Sequence, residues 1–367
     1  MTDACYLDHN ATTPLRDAAK EAMACAIEVT GNASSVHRFG RDQRKIIEDA
    51  RQQVANLADV SPANVIFTSG GSEANNTVLR GIATSTRITS TIEHASVLDA
   101  DSAAIRIDVD GNGLFDLDAL QATHGDLDAP ALVSVMAANN ETGVIQPIAE
   151  IAQIVRDHDG RLHVDAIQWA GKLPLFELTV LADAVTISAH KLGGPQGVGA
   201  IIVRDGVPFE PIVKGGGQER RRRAGTENAI GIAGFGAACE AAALDQAHYA
   251  ELATFRDKID ADLGAQARVY GDKATRLNNT TCIGMPGVSA ETQVMAFDLA
   301  GIAISAGSAC SSGKVEPSHV LIAMGIDHDE AAEAVRVSLG WSSTMQDAER
   351  FIDVWQSLRS RTASEAA

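Results

Sequence analysis

Residues 184–203 read AVTISAHKLGGPQGVGAIIV. An apolar, β-branched run, Ala184–Ser188, leads into His190 and Lys191; a glycine-rich turn follows, and a second apolar run starts at Gly199. Short continuous apolar runs bounded by turn signals predict buried strands. The same signature appears at Val65–Thr68 (VIFT), Leu132–Met136 (LVSVM) and Leu162–Val164 (LHV). Between the last two lies IAEIAQIVRDHDG, where Ile148, Ile151, Ile154 and Val155 keep a helical rhythm that stops at Gly160. Strands alternating with helices predict an α/β fold, a mostly parallel sheet covered on both faces. Such a sheet binds its ligand at the carboxyl ends of its strands. The segments in that position, SGGSEANN, AANNETG, DAIQ and AHKLGGPQG, are all polar or glycine-rich.

The bulk composition narrows the function classes. The chain has 367 residues, more than one ordinary domain, with 45% hydrophobic and 21% charged residues. Thirty Lys and Arg against 48 Asp and Glu give a net charge of −18, which disfavours nucleic acid and anionic lipid as partners. No basic, apolar leader opens the sequence and no 18-residue apolar run occurs, so a cytoplasmic protein without a membrane span is expected. Five cysteines, at 5, 25, 239, 282 and 310, show no C-x-x-C spacing. An odd, scattered set argues against a disulfide framework and against a metal site built from cysteines.

The strand-end segments carry the chemistry. In SGGSEANN, Gly71 and Ser72 precede a helical pattern (Ala74, Val78, Leu79, Ile82), so free backbone N–H groups would offer a seat for a phosphate. Taken alone, Ser72 is equally an ordinary helix cap. Lys191, at the mouth of a sheet where burial can adjust its pKa, is of the kind that forms Schiff bases; Ser188 and His190 beside it can reach a phosphate. Asp165 ends a central strand, and a buried carboxylate there needs a cationic partner such as a protonated pyridine. Gln168, three residues on, offers an amide to a phenolic oxygen. Each sign is weak in isolation, since a loop lysine and a capping aspartate are common. The set together specifies pyridoxal 5'-phosphate.

With these in place the motifs can be taken as a series. YLDHNATTP (6–14), GNASSVHRFG (31–40), FTSGGSEANN (67–76), TIEHASV (91–97), NNETGVIQP (139–147), HVDAIQ (163–168), SAHKLGGPQGVGA (188–200), GGGQERRRRAGTEN (215–228), SAGSACSSG (305–313) and VRVSLG (335–340) together resemble the cysteine desulfurases of the NifS/IscS type. These are class V aminotransferases, enzymes of fold-type I. The resemblance implies a large domain with a mostly parallel seven-stranded sheet and a smaller α+β C-terminal domain. The expected boundaries are an N-terminal arm at 1–14, a large cofactor-binding domain at 15–250 and a small domain at 251–367. It implies that Lys191 holds pyridoxal phosphate and moves protons at the substrate Cα, that His94 stacks on the ring and assists acid–base steps, and that Asp165 pairs with the pyridine nitrogen. Gln168 and Asn140 would serve the ring hydroxyl. Gly71, Ser72, Ser188 and His190 would bind the phosphate, joined by Thr226 from the other subunit of a homodimer. Asn32 and Arg336 would hold the substrate carboxylate. His37 and Arg38, which match the family too, are given structural or substrate-entrance roles, and the run Arg220–Arg223 a dimer-interface or solvated one.

The implied reaction converts L-cysteine to L-alanine, with sulfur passing to Cys310 as a persulfide and then to an acceptor such as an iron–sulfur scaffold protein. The small residues around Cys310 offer few apolar anchors, so a loop that swings between cofactor and acceptor is expected. Two alternatives stay open on sequence: another enzyme of the same fold, such as an aminotransferase or a selenocysteine lyase, and a non-catalytic sulfur-assembly scaffold or thiol-based metal-binding protein.

Overall fold

A computed structural model describes residues 4–307 and 316–365. Its largest sheet has seven strands, in the spatial order Val65–Thr68, Gly199–Val203, Ala184–Ser188, Arg161–Asp165, Leu132–Met136, Arg87–Ser90, Ile105–Ile107. All neighbours are parallel except Gly199–Val203, which runs antiparallel to both of its partners. The five strands predicted from apolar runs are present; Arg87–Ser90 and Ile105–Ile107 are additions at one edge. Both begin or alternate with arginine, and Ile105 is exposed, so they lack the continuous apolar run that marks a doubly covered strand.

The period-two alternation of the strands assigns their two faces. Val65, Phe67, Val133, Val135, Val185, Ile187 and Ile202 point into one core, where Ile47 and Val54 of helix Arg38–Ala58, Ile151 and Val155 of helix Ile148–Asp157, and Phe235 of helix Ala229–Leu244 meet them. Ile66, Leu132, Ala184 and Ile201 point the other way, against Ala74, Val78 and Leu79 of helix Gly71–Gly81. Burial on both faces accounts for the apolar runs visible in the sequence.

A second core gathers Tyr249, Leu252 and Ile259 of helix Gln246–Leu263, Phe297, Val335, Val337, and Phe351 and Trp355 of helix Met345–Glu365. Cys5 and Leu7 belong to it as well. Its antiparallel sheet runs Ser305–Ala306, Ala334–Ser338, Thr280–Gly284, Arg268–Val269. The N-terminal strand Cys5–Tyr6 pairs in parallel with Ile302–Ala303, and Asp8 bridges Ser338. The arm is thereby threaded through the second unit before Asn10 and Ala11 reach the end of the large sheet. Among the described residues no helix is long and apolar enough to cross a membrane.

The arginine-rich segment is tied down by one carboxylate. Glu219, Arg220 and Arg221 all have left-handed backbone (φ 46, 55 and 65°), which non-glycine residues adopt only when the surroundings impose it. The buried Glu219 side chain accepts from Arg51 Nη1 at 2.7 Å and Nη2 at 2.8 Å, and from the Phe67 N–H at 3.0 Å. Arg222 donates to the Ala63 carbonyl (2.7 Å), and Arg223 pairs with Glu73 (2.9 Å). Two of the four arginines are thus structural. Glu219→Ala strips the Arg51 guanidinium, 5% exposed, of its buried two-pronged partner and leaves it the half-exposed Glu48 and the Val65 carbonyl. A loss of about 3–5 kcal/mol in unfolding free energy is expected, measured by urea denaturation; a loss under about 1 kcal/mol would mean that the pair does not hold this segment.

Candidate active site

The strand ends converge on a cavity of about 450 Å³. Gly71, Ser72, His94, Asn140, Asp165, Gln168, Ser188, His190, Lys191 and Arg336 all line it. Ten positions taken from separate stretches of sequence therefore share one space. Arg336 arrives from the second unit's strand Ala334–Ser338, and Asn10 and Ala11 from the N-terminal arm. The cavity is closed only when both units and the arm are in place.

Lys191 sits on a short turn, Ala189–Lys191, directly after its strand. Its ammonium donates to the carbonyls of Asn10 (2.5 Å) and Ala11 (2.8 Å). Burial, followed by the positive charge of Arg336, pushes its pKa down to about 8. Arg336 donates from Nη2 to Asp8 (2.7 Å) and from Nη1 to the Asn140 carbonyl (3.1 Å), while its Nε is buried without a partner. An arginine with one buried N–H unspent is suited to a carboxylate.

Asp165 accepts from Asn75 Nδ2 at 2.7 Å and from the Ile167 N–H at 2.9 Å. Burial raises its pKa above the ordinary carboxylate range, against the pull of these two hydrogen bonds. Such a carboxylate is stabilised by a cation in the cavity. Gln168 is oriented by Lys172, whose ammonium donates to its Oε1 at 2.8 Å, so the amide nitrogen is the end left to donate; one of its protons goes to the Asn10 carbonyl at 3.0 Å.

At the opposite side, Ser188 Oγ is buried with no hydrogen-bond partner, and the helix Gly71–Gly81 starts beside it without a side-chain cap. A Cβ on Gly71 would fall 2.3 Å from Ile167 Cδ1 and one on Gly199 2.7 Å from the Gly70 backbone, so glycine lets the helix start lie close against the sheet. His190, which exchanges a hydrogen bond with Thr12 Oγ1 (3.1 Å), is driven by burial and by Lys191 to a pKa of about 4 and is neutral. An orphaned hydroxyl, open helical N–H groups and a nearby imidazole fit a phosphate. Together with Lys191, Asp165 and Gln168 the donor set fits pyridoxal phosphate, whose phosphate, aldehyde, pyridine nitrogen and hydroxyl each need one of these groups.

Two further histidines of the cavity, His94 and His319, share one tautomer, with the neutral ring's proton on Nε2. His94 Nδ1 accepts from the Ser96 N–H at 3.0 Å, so in the neutral ring the proton is on Nε2; burial, first, and Lys191 lower its pKa. His319 Nε2 lies 3.0 Å from the Glu93 carbonyl, which only accepts, so Nε2 carries a proton there.

Two expected site residues are not in this cavity, and a third is not among the described residues. Asn32 is exposed and accepts from the Ser34 N–H at 2.9 Å. Thr226 lines a separate hollow with Phe67, Glu219 and Arg223. Cys310, with the expectation of a swinging loop, lies outside the described residues; Ser305 and Gly307, just before it, line the cavity. Sequence reading passed over Asn75, Glu141, Lys172 and His319. The available signal for Asn75 was its place one helical turn after Gly71; His319 directly follows Ser318, a cap after the cysteine loop.

The profile of the class-V aminotransferases matches residues 5–351. A cysteine desulfurase from Cereibacter sphaeroides is 41% identical, covering 95% of this chain and 94% of its own length. An IscS-like cysteine desulfurase from Mycobacterium tuberculosis is 37% identical, over 99% and 98%. Among solved structures, a NifS-like protein from Rickettsia africae superposes with a TM-score of 0.90 at 33% identity, covering 97% of this chain and 99% of that one. SspA, solved in complex with cysteine, superposes with a TM-score of 0.78 at 29% identity over 91% and 98%.

Proposed function

The chain belongs to the class-V aminotransferase family, and we propose that it is a pyridoxal-phosphate-dependent cysteine desulfurase, taking sulfur from L-cysteine onto Cys310 and releasing L-alanine. The observation that carries this reading is the cavity that brings together Lys191, Asp165, Gln168 and the orphaned Ser188 hydroxyl, a set whose chemistry matches the functional groups of the cofactor. Relatives of nearly the same length bear the name cysteine desulfurase.

Bound pyridoxal phosphate supplies an electron sink for the bonds at the substrate's α and β carbons. Lys191 would hold the cofactor through its Nζ, and the same atom, when free, would take the substrate's Cα proton. Asp165, as a carboxylate, would favour a proton on the pyridine nitrogen. Arg336 receives the substrate carboxylate. The Cys310 thiolate then bonds to the substrate sulfur as the Cβ–S bond breaks; the electron pair stays with the carbon fragment, which is protonated and leaves as alanine. Cys310 follows Gly307 by three residues, a reach of about 11 Å at full extension. Of the other cysteines, burial pushes the thiols of Cys5, Cys239 and Cys282 upward, and Cys25 is exposed on helix Asp17–Ile27 away from the cavity.

We assign the finer points in the same way. Thr226 and Asn32, outside the cavity of their own chain, serve the site of a second copy in a homodimer; sedimentation equilibrium giving the mass of one chain contradicts this. The acceptor is a scaffold or carrier protein in the cytoplasm that takes persulfide sulfur for iron–sulfur clusters or other sulfur-containing molecules; sulfide as the only product in the presence of such a scaffold speaks against it.

Addition of pyridoxal phosphate to the apo chain tests the cofactor reading. A band near ~420 nm, fixed and bleached by borohydride, is expected, and its absence contradicts the reading. The rate of capture has a predictable pH dependence. A Lys191 pKa of about 8 leaves about a tenth of the amine neutral at pH 7, against about one part in 3,000 for a lysine at 10.5. Capture should therefore rise with pH through about 8 and level off. Arg336→Leu removes a charge that lowers this pKa, so the midpoint moves upward; a midpoint near 10.5 in the unaltered protein would contradict the site's electrostatics.

A further inference from the structure

Beneath the cavity, helix Gly71–Gly81 sends one amide into the sheet. Asn75 is fully buried, and its hydrogen bonds go to separate parts of the site. Its Nδ2 donates to Asp165 Oδ2 at 2.7 Å and to Ser96 Oγ at 2.9 Å. Its Oδ1 accepts from Thr186 Oγ1 at 2.6 Å. A carboxylate only accepts, so the amide's orientation is fixed by chemistry.

The positions of the remaining protons are determined in turn. The Thr186 hydroxyl spends its proton on Asn75, so its oxygen accepts from His163 Nε2 at 3.1 Å. His163 Nδ1, 2.8 Å from Ser134 Oγ, then accepts the serine's proton. Burial lowers the His163 pKa to about 3, so the ring stays neutral and keeps this one arrangement. On the other branch the Ser96 hydroxyl, accepting from Asn75, donates to His94 Nδ1 at 2.8 Å.

We propose that Asn75 is the positioning residue that couples Asp165 and His94, setting the carboxylate's charge toward the cofactor's ring nitrogen and orienting the Ser96 hydroxyl that backs the histidine's Nδ1, from one buried amide. The inference rests on the desulfurase reading above. Asn75 is not a catalytic residue, since it acts through the two groups that face the cavity. Removing its N–H leaves Asp165 with the Ile167 N–H alone, a more basic carboxyl, and the shared proton moves from the pyridine nitrogen toward the carboxylate. The other titratable groups around Asp165 are His94, Lys191 and Glu93; Lys191 and Glu93 have no hydrogen bond to Asn75, and His94 keeps the Ser96 N–H when the amide is removed.

The test uses the holoenzyme loaded with ¹⁵N-ring-labelled pyridoxal phosphate. In Asn75→Ala the ring-nitrogen resonance should move toward that of neutral pyridine, and kcat should fall about 10- to 100-fold with KM for L-cysteine within twofold. Because Asn75 is buried, Thr186→Val provides a second variant: it removes the proton donated to Asn75 Oδ1, together with the oxygen that accepts from His163 Nε2, and should shift the resonance in the same direction, while Thr186→Ser restores it. Ser96→Ala should alter the pH profile of kcat without moving the ring-nitrogen signal. Unchanged resonances and kcat in Asn75→Ala and Thr186→Val would overturn the inference. Absence of the ~420 nm band in the unaltered protein would instead overturn the cofactor reading.

Discussion

Lys191→Ala should reduce alanine formation from L-cysteine by at least about 10³-fold, the scale of losing a positioned proton-transfer group together with the covalent anchor. The loss is chemical, not structural: the Lys191 ammonium holds only two backbone carbonyls, those of Asn10 and Ala11, and the strand behind it is buried independently. The variant should still bind pyridoxal phosphate through Ser188, His190, Asp165 and Gln168, but borohydride should no longer fix the cofactor to the chain. Lys172 does not line the main cavity, and its ammonium is engaged by both the backbone and side-chain oxygens of Gln168. Retention of fixed cofactor in Lys191→Ala, or turnover within tenfold of the unaltered protein, would transfer the role to another amine.

Cys310→Ala should abolish alanine and sulfide production while the ~420 nm band stays intact. The two halves of this outcome separate the reading from its rivals. An aminotransferase or a selenocysteine lyase of the same fold needs Lys191 and Asp165 but not this thiol. A non-catalytic scaffold needs neither and would be colourless. No other described cysteine is placed to substitute: three have thiols pushed upward by burial, and Cys25 is on an outer helix. Persistent turnover in Cys310→Ala would contradict the assignment of the nucleophile.

The strand ends were legible because a doubly covered sheet forces its strands to be continuous apolar runs, and the residues directly after each run must then lie at the ligand-binding edge. Lys191, Asp165 and Ser188 could be placed on that basis. Arg87–Ser90, next to the edge, and Ile105–Ile107, at the edge, could not, because strands this short with arginine in them have no such run. Asn75 was hidden for a different reason: its meaning is in Asp165, Thr186 and Ser96, which are distant in sequence and converge only in the fold. Glu219 was similarly masked by the four arginines after it, though it is the carboxylate that orders them. Asn32 and Thr226 came from the resemblance alone, and one chain by itself does not bring them to the cavity.

The most direct test of the proposed reaction is mass spectrometry of the protein after incubation with L-cysteine and pyridoxal phosphate and digestion under non-reducing conditions. The account predicts one added sulfur atom on the peptide containing Cys310, absent in Lys191→Ala and removed by a thiol reductant. Sulfur on the Cys25 peptide instead, or none on any peptide while alanine accumulates, would contradict it.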